Sequence, residues 1–156
     1  MSFTIPRKTY DLFAQHAAKA YPREGQGLVI GKDTDDGLLA ADFIALPNVW
    51  ESYEDNPYEQ REQDSARNRT LVDPKDFIAA DREARSRGLD IICYFHSHPD
   101  HPARPSEFDR RHAHPFLIYA ILAVAQGEPR ELTAWRLSED MSQFLPVELK
   151  IVEDPA

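Results

Sequence analysis

The chain has 156 residues, 42% hydrophobic and 29% charged, with a formal net charge of −9; this is the size and balance of one globular domain, residues 1–156, able to bury its own core. So acidic a chain is repelled by nucleic-acid phosphates and by anionic membranes, and its longest apolar run, Phe116–Ala125, is too short to span a bilayer. The opening Met1–Pro6 lacks the basic-then-apolar order of a signal peptide, and Cys93 has no second cysteine to bridge to, so a cytoplasmic location is expected.

Pro6 suits a first helical turn, and Tyr10, Phe13, Ala17 and Ala20 recur at helical spacing, which predicts a helix over Pro6–Tyr21 stopped by Pro22. Gly27–Gly31 reads as a strand, Asp33–Gly37 as a polar turn and Leu38–Leu46 as a second strand, together a hairpin. Pro47–Arg69 is a long polar, acidic loop whose stretch Glu51–Asp64 sets Glu51, Glu54, Asp55, Glu59, Glu62 and Asp64 against Arg61 alone. Two readings stand for it: a solvated flap, or a rim that meets a basic partner. Asp73 caps a second helix, Pro74 opens it and Gly88 stops it, with Phe77, Ile78, Ala79, Ala80 and Ala84 as its apolar side. Leu89–Phe95 is an apolar strand suited to the middle of a sheet. His96–Pro105, broken by Pro99, Pro102 and Pro105, reads as irregular. Ser106 caps a short helix with Asp109 three residues on, ending before Pro115. Phe116–Ala125, Arg130–Leu137 and Phe144–Val152 read as closing strands, the first two joined at Gln126-Gly127. Strands and helices do not alternate regularly. The expected class is therefore α/β, a single domain with a mixed, largely antiparallel sheet flanked by helices, and not a Rossmann-type sheet.

The segment richest in chemistry is His96-Ser97-His98-Pro99 through Ser106 to Asp109. Residues two apart in an extended backbone point to one side, so both imidazoles can face one point at the end of a buried strand. An aspartate at the start of the next helix can supply a third donor. Three N/O donors with a fourth position open is the layout of a catalytic zinc site, and a single cysteine argues against a structural thiolate site.

His-x-His-Pro, six residues, Ser, two residues, Asp resembles the signature of the JAMM, or MPN-plus, zinc metalloproteases, in their small stand-alone prokaryotic form. That family also carries an upstream glutamate in a stretch like Glu-x-Cys-Gly-Leu-x-x-Gly; Glu24-Gly25-Gln26-Gly27-Leu28-Val29-Ile30-Gly31 stands at that place, with Gln26 where the family has cysteine or a small residue. The resemblance covers roughly residues 5–125. It implies a cytidine-deaminase-like JAMM/MPN fold, Zn²⁺ held by His96, His98 and Asp109, Glu24 as general base, and Ser106 as a donor to the oxyanion. It further implies cleavage after the C-terminal glycines of a ubiquitin-like protein. The short stretch between Asp109 and Phe116 favours a compact sulfur-carrier-type substrate over polyubiquitin. Two other readings stay open: a silent MPN scaffold or binding module, and a metallo-β-lactamase-type hydrolase, since His96-Ser97-His98-Pro99-Asp100-His101 also spells His-x-His-x-Asp-His. The bland expectations are an exposed His101, surface positions for His112 and His114, structural roles for His16 and Ser97, and a buried core thiol at Cys93.

Overall fold

The structure, a computed structural model, describes residues 1–154. In chain order it contains β1 (Ser2–Pro6), α1 (Arg7–Ala20), β2 (Gln26–Thr34), β3 (Gly37–Leu46), α2 (Pro74–Ser86), β4 (Asp90–Pro99), α3 (Glu107–Arg111), β5 (Ile118–Ala125), β6 (Glu128–Leu137), β7 (Phe144–Pro146) and β8 (Glu148–Val152). All eight strands form one sheet, in the order β7-β6-β5-β4-β2-β3-β1-β8. The pairs β2–β3, β2–β4, β5–β6 and β6–β7 are antiparallel. The pairs β1–β3, β1–β8 and β4–β5 are parallel. The expected mixed α/β class is what the chain forms.

The two outermost strands, β7 and β8, are separated in sequence only by Val147. One residue spans only a few ångströms, so the opposite edges of the sheet meet and the sheet curls on itself. Val147 closes the seam, its N–H donating to the Ala134 carbonyl at 2.8 Å. This corrects the expectation of a continuous strand over Phe144–Val152. β1 was also missing from that expectation. Its alternation of buried Phe3 and Ile5 with less buried neighbours is a strand signal of five residues, made stable by partners at Gly37–Leu46 and Glu148–Val152. Helix α1 accordingly starts at Arg7 rather than Pro6, and Pro6 ends the strand.

Helix α1 lies in the concave side of the sheet, burying Thr9, Phe13 and Ala17 along one stripe. Phe13 stacks on Phe95 at 4.9 Å between centroids and meets Phe43 edge-on at 4.9 Å. Gly27 is what makes room for this trio, because a side chain there would run into the Phe43 ring and the Ile44 carbonyl. Helix α2 covers the other face, seating Ala80 with Leu28 and Leu46. It packs inward through Ala80 and Ala84, so Phe77, Ile78 and Ala79, expected on its apolar side, are exposed. Asp73 caps α2, accepting from the Lys75 N–H at 3.0 Å. Gly88, at φ +67°, turns the chain out of it.

Strand β4 also differs from expectation. It does not end at Phe95 but runs through both histidines to Pro99, because β5 pairs with it in parallel there: His96 opposite Ile121, Ser97 opposite Leu122, His98 opposite Ala123. Alternation along β4 sends Cys93 and Phe95 into the core beside α1, and Tyr94 and His96 to the face that α2 covers. Cys93 is a buried thiol, as expected. Among the described residues no helix is long and apolar enough to cross a membrane.

Phe95→Ala removes a fully buried ring from the centre of the aromatic trio. Urea denaturation of this variant is expected to show a loss of about 3–5 kcal/mol.

Candidate active site

The site forms at the C-terminal end of β4, beside the start of α3. His96 and His98 are buried, with Nε2 atoms 3.1 Å apart. Asp109 places Oδ2 3.4 Å from His96 Nε2 and 3.5 Å from His98 Nε2. Glu24, at 7% exposure, brings a carboxylate oxygen within 4.8 Å of a ring nitrogen of both histidines. Four of the five residues singled out from sequence thus converge on one point, and Ser106 adjoins them through Asp109.

Each side chain is fixed by local structure. The His98 Nδ1 lies 2.9 Å from the Pro102 carbonyl. Only a protonated Nδ1 can donate there, which leaves Nε2 as the lone-pair nitrogen facing Asp109 and His96. Asp109 is held by a capping box at the start of α3: the Ser106 N–H donates to Asp109 Oδ2 at 2.8 Å, and the Asp109 N–H donates to Ser106 Oγ at 3.0 Å. The oxygen turned toward the histidines is therefore locked by the backbone. Ser106 Oγ accepts in this arrangement, leaving its own hydrogen to donate elsewhere.

Glu24 stands just before β2, where Ser97 ties the neighbouring Gly25 to the histidine strand. The Ser97 N–H donates to the Gly25 carbonyl at 2.9 Å, and the Gly25 N–H donates to Ser97 Oγ at 2.7 Å. Ser97 is fully buried and structural, as expected. Gln26, where the resembled family has a small residue, anchors a buried polar cluster. Its Nε2 donates to the carbonyls of Pro47 and Leu71, each at 2.8 Å, and its Oε1 accepts from the Tyr94 hydroxyl at 2.7 Å. Tyr94 in turn stacks on His96 at 5.5 Å. Sequence reasoning missed this cluster; a glutamine amid apolar strand residues was its one visible signal.

Electrostatics separate the two carboxylates. Burial, reinforced by the negative charge of Asp109, pushes the Glu24 carboxyl well above the usual range, with Arg69 offsetting part of this. Burial acts the same way on Asp109. There, however, the neighbouring imidazoles, His96 first, and the Ser106 N–H outweigh it and hold the group well below the usual range.

The long loop 47–73 carries no helix or strand, yet it is not a free flap. Trp50, Ala66 and Leu71 are buried. Asp64 is buried in contact with Arg61 and Arg69, and Glu51 pairs with Arg23 while accepting from the Ala66 N–H at 2.9 Å. Tyr58, Phe108 and His112 pack together, with the Arg69 guanidinium over the Phe108 ring at 4.4 Å. The loop thus walls a pocket of about 270 Å³ that opens on His96 and Asp109, with Leu28, Val72, Phe77, Leu117 and Tyr119 among its lining. His112 and His114 are exposed, as expected, but both also line this pocket.

The donor set fits a zinc ion. Bonds of about 2.0–2.1 Å in a tetrahedron imply donor separations of about 3.3 Å, and the His96, His98 and Asp109 atoms lie 3.1–3.5 Å apart. Glu24 belongs to an overlapping group with the same two histidines that could also hold a metal. The alternative His-x-His-x-Asp-His set does not assemble. Asp100 accepts from the Tyr21 hydroxyl at 2.6 Å and the Gln126 N–H at 2.8 Å, and His101 is exposed.

The curled mixed α/β sheet thus carries a buried histidine pair beside two carboxylates, a grouping that could hold a metal ion. Residues 6–138 match the model of prokaryotic homologues of the JAB domain, and the chain belongs to that family. A solution structure from Salinibacter ruber is 35% identical, covers 97% of this chain and 92% of its own, and superposes with a TM-score of 0.70. The Desulfitobacterium hafniense protein DSY2949 is 25% identical over 97% of this chain and 94% of its own, with a TM-score of 0.78. AF2198, a JAB1/MPN domain protein of Archaeoglobus fulgidus, shares the fold at 17% identity and a TM-score of 0.54, covering 96% of this chain and 99% of its own. A Thermus thermophilus protein named as a probable TtuB-protein conjugate cleaving protease is 28% identical over 118 residues, 74% of this chain and 68% of its own.

Ser97→Ala leaves the buried Gly25 N–H without its side-chain acceptor. Chemical denaturation is expected to show a loss of about 1–3 kcal/mol.

Proposed function

We propose that this protein is a zinc-dependent JAMM-type metalloprotease that hydrolyses a peptide or isopeptide bond after the C-terminal glycines of a ubiquitin-like, sulfur-carrier-type protein. The observation that carries the reading is the convergence of His96 Nε2, His98 Nε2 and Asp109 Oδ2 within 3.1–3.5 Å, beside a buried glutamate. Membership of the JAB family and the description of the Thermus relative support the substrate class.

His96, His98 and Asp109 would hold the ion. Zinc, when bound, supplies Lewis acidity toward water and toward a carbonyl oxygen. Glu24 is the proton acceptor: its carboxylate takes a proton from the attacking water as the water oxygen adds to the scissile carbonyl carbon. It returns that proton to the nitrogen as the C–N bond breaks, so a free carboxyl and a free amine leave. With a cation held at the histidine pair, Glu24 would favour its ionised form at neutral pH despite its burial. The Ser106 hydroxyl, which accepts from the Asp109 N–H, donates its hydrogen to the developing oxyanion. The largely apolar pocket beside His96, walled by loop 47–73, offers the space in which the chain bearing the reacting bond would lie.

The test pairs metal content with cleavage. Wild type and Glu24→Gln are expected to bind about one zinc per chain, and Asp109→Ala and His96→Ala to lose it. On a panel of ubiquitin-like proteins extended or conjugated beyond their terminal glycines, the wild type is expected to cleave, with kcat down about 10²–10⁴-fold in Glu24→Gln. Zinc binding with no cleavage across the panel would overturn the substrate class. Absence of zinc from the wild type would overturn the metal centre and leave a scaffold role as the better account.

A further inference from the structure

We propose that Asn48 is a positioning residue for Glu24, fixing the backbone that carries the carboxylate through its side-chain amide; the proposal rests on Glu24 being the proton acceptor. Asn48 follows the last strand residue of β3 by two positions and sits where the long loop begins. Its Nδ2 donates to the Glu24 carbonyl at 3.1 Å and the Arg69 carbonyl at 2.9 Å, with the Ala66 carbonyl at 3.5 Å. Its Oδ1 accepts from the N–H groups of Trp50 and Leu71, each at 3.2 Å. One amide therefore uses both its hydrogens and both its lone pairs, tying the start of the loop, its end and Glu24 to a single point.

Glu24 needs such a tie because it precedes β2 and takes no part in the sheet ladder. Its N–H donates to the Ala66 carbonyl at 2.7 Å, also in the loop. Among the described residues Asn48 is the one hydrogen-bond donor to its carbonyl. The backbone of Glu24 is thus held on both sides by loop 47–73, directly through Ala66 and indirectly through Asn48. The metal-donor side chains come from β4 and α3 instead. Losing Asn48 should therefore loosen the proton acceptor while sparing the histidine pair, and a misplacement of about 1 Å is enough to lower a rate about 10²-fold.

Asn48→Asp separates this role from a general contribution to the fold. It keeps the oxygen that accepts from Trp50 and Leu71 and replaces the donor by a carboxylate oxygen facing the carbonyls of Glu24 and Arg69. Amide hydrogen exchange, followed by NMR on the zinc-loaded protein, needs no substrate. The Glu24 amide is expected to exchange at least about 10-fold faster than in wild type, with Leu28, Val29 and Ile30 unchanged. Zinc content is expected to stay at that of wild type. On any substrate the wild type cleaves, kcat is expected to fall about 10–100-fold with KM little changed. Unchanged exchange at Glu24, an even loss of protection along β2, or an unchanged kcat would overturn the proposal. If the wild type cleaves nothing, the functional reading fails, and the exchange pattern still decides whether Asn48 holds Glu24. Asn48→Ala, which removes the acceptor as well, is expected to loosen Trp50 and Leu71 too; sparing those two amides would count against the network.

Discussion

The register of β2 against β4 is the constraint on which the site depends. With Gln26 opposite His96, Ser97 reaches Gly25 through both its N–H and its hydroxyl. Glu24 is thereby set beside the histidine pair although it stands 72 positions before His96 in the chain. Slipping that register by one residue would turn His96 and His98 toward the core where Phe95 packs. The aromatic trio of Phe13, Phe43 and Phe95, made possible by the missing side chain at Gly27, holds the register from the opposite face. Core packing and site geometry are thus two sides of the same pair of strands.

Around that fixed line the protein separates two carboxylates by environment. Asp109 is pinned by a capping box at a helix start and by two imidazoles, which favours its charged form. Glu24 is buried against apolar surface with fewer compensating partners, which favours its neutral form. Pairs of acids driven apart in this way are suited to one group that holds and one that moves a proton. The loop contributes to both conditions: it shields Glu24, and it brings Arg69, the cation that offsets part of the burial.

Much of this was legible in the sequence where the determinants are local. Asp73-Pro74 and Gly88 bound a helix by capping chemistry alone, and Ser106 with Asp109 spelled a capping box. Histidines two apart at a strand end already implied one shared face. Glu24 was different: a single acid between Arg23 and Gly25 has no periodicity, and only a resemblance to a longer motif drew attention to it. What escaped the reading was set by distant partners. β1 exists because Gly37–Leu46 and Glu148–Val152 flank it, β4 continues past Phe95 because β5 lies alongside, and Val147 divides the last strand because the sheet edges meet there. The acidic loop looked solvated by composition, yet buried Asp64 and the fully engaged Asn48 anchor it. Phe77 and Ile78 had the right spacing to face inward, and small alanines won the contact instead.

The central claim is that two histidines and Asp109 hold zinc while Glu24 stands outside the coordination shell as proton acceptor. The most direct measurement is X-ray absorption at the zinc edge on the wild type and on Asp109→Asn and Glu24→Gln. The account predicts two imidazole nitrogens with oxygen ligands in the wild type, the same spectrum in Glu24→Gln, and an altered or lost shell in Asp109→Asn. A shell that changes in Glu24→Gln and not in Asp109→Asn, or one containing a third imidazole, would contradict it.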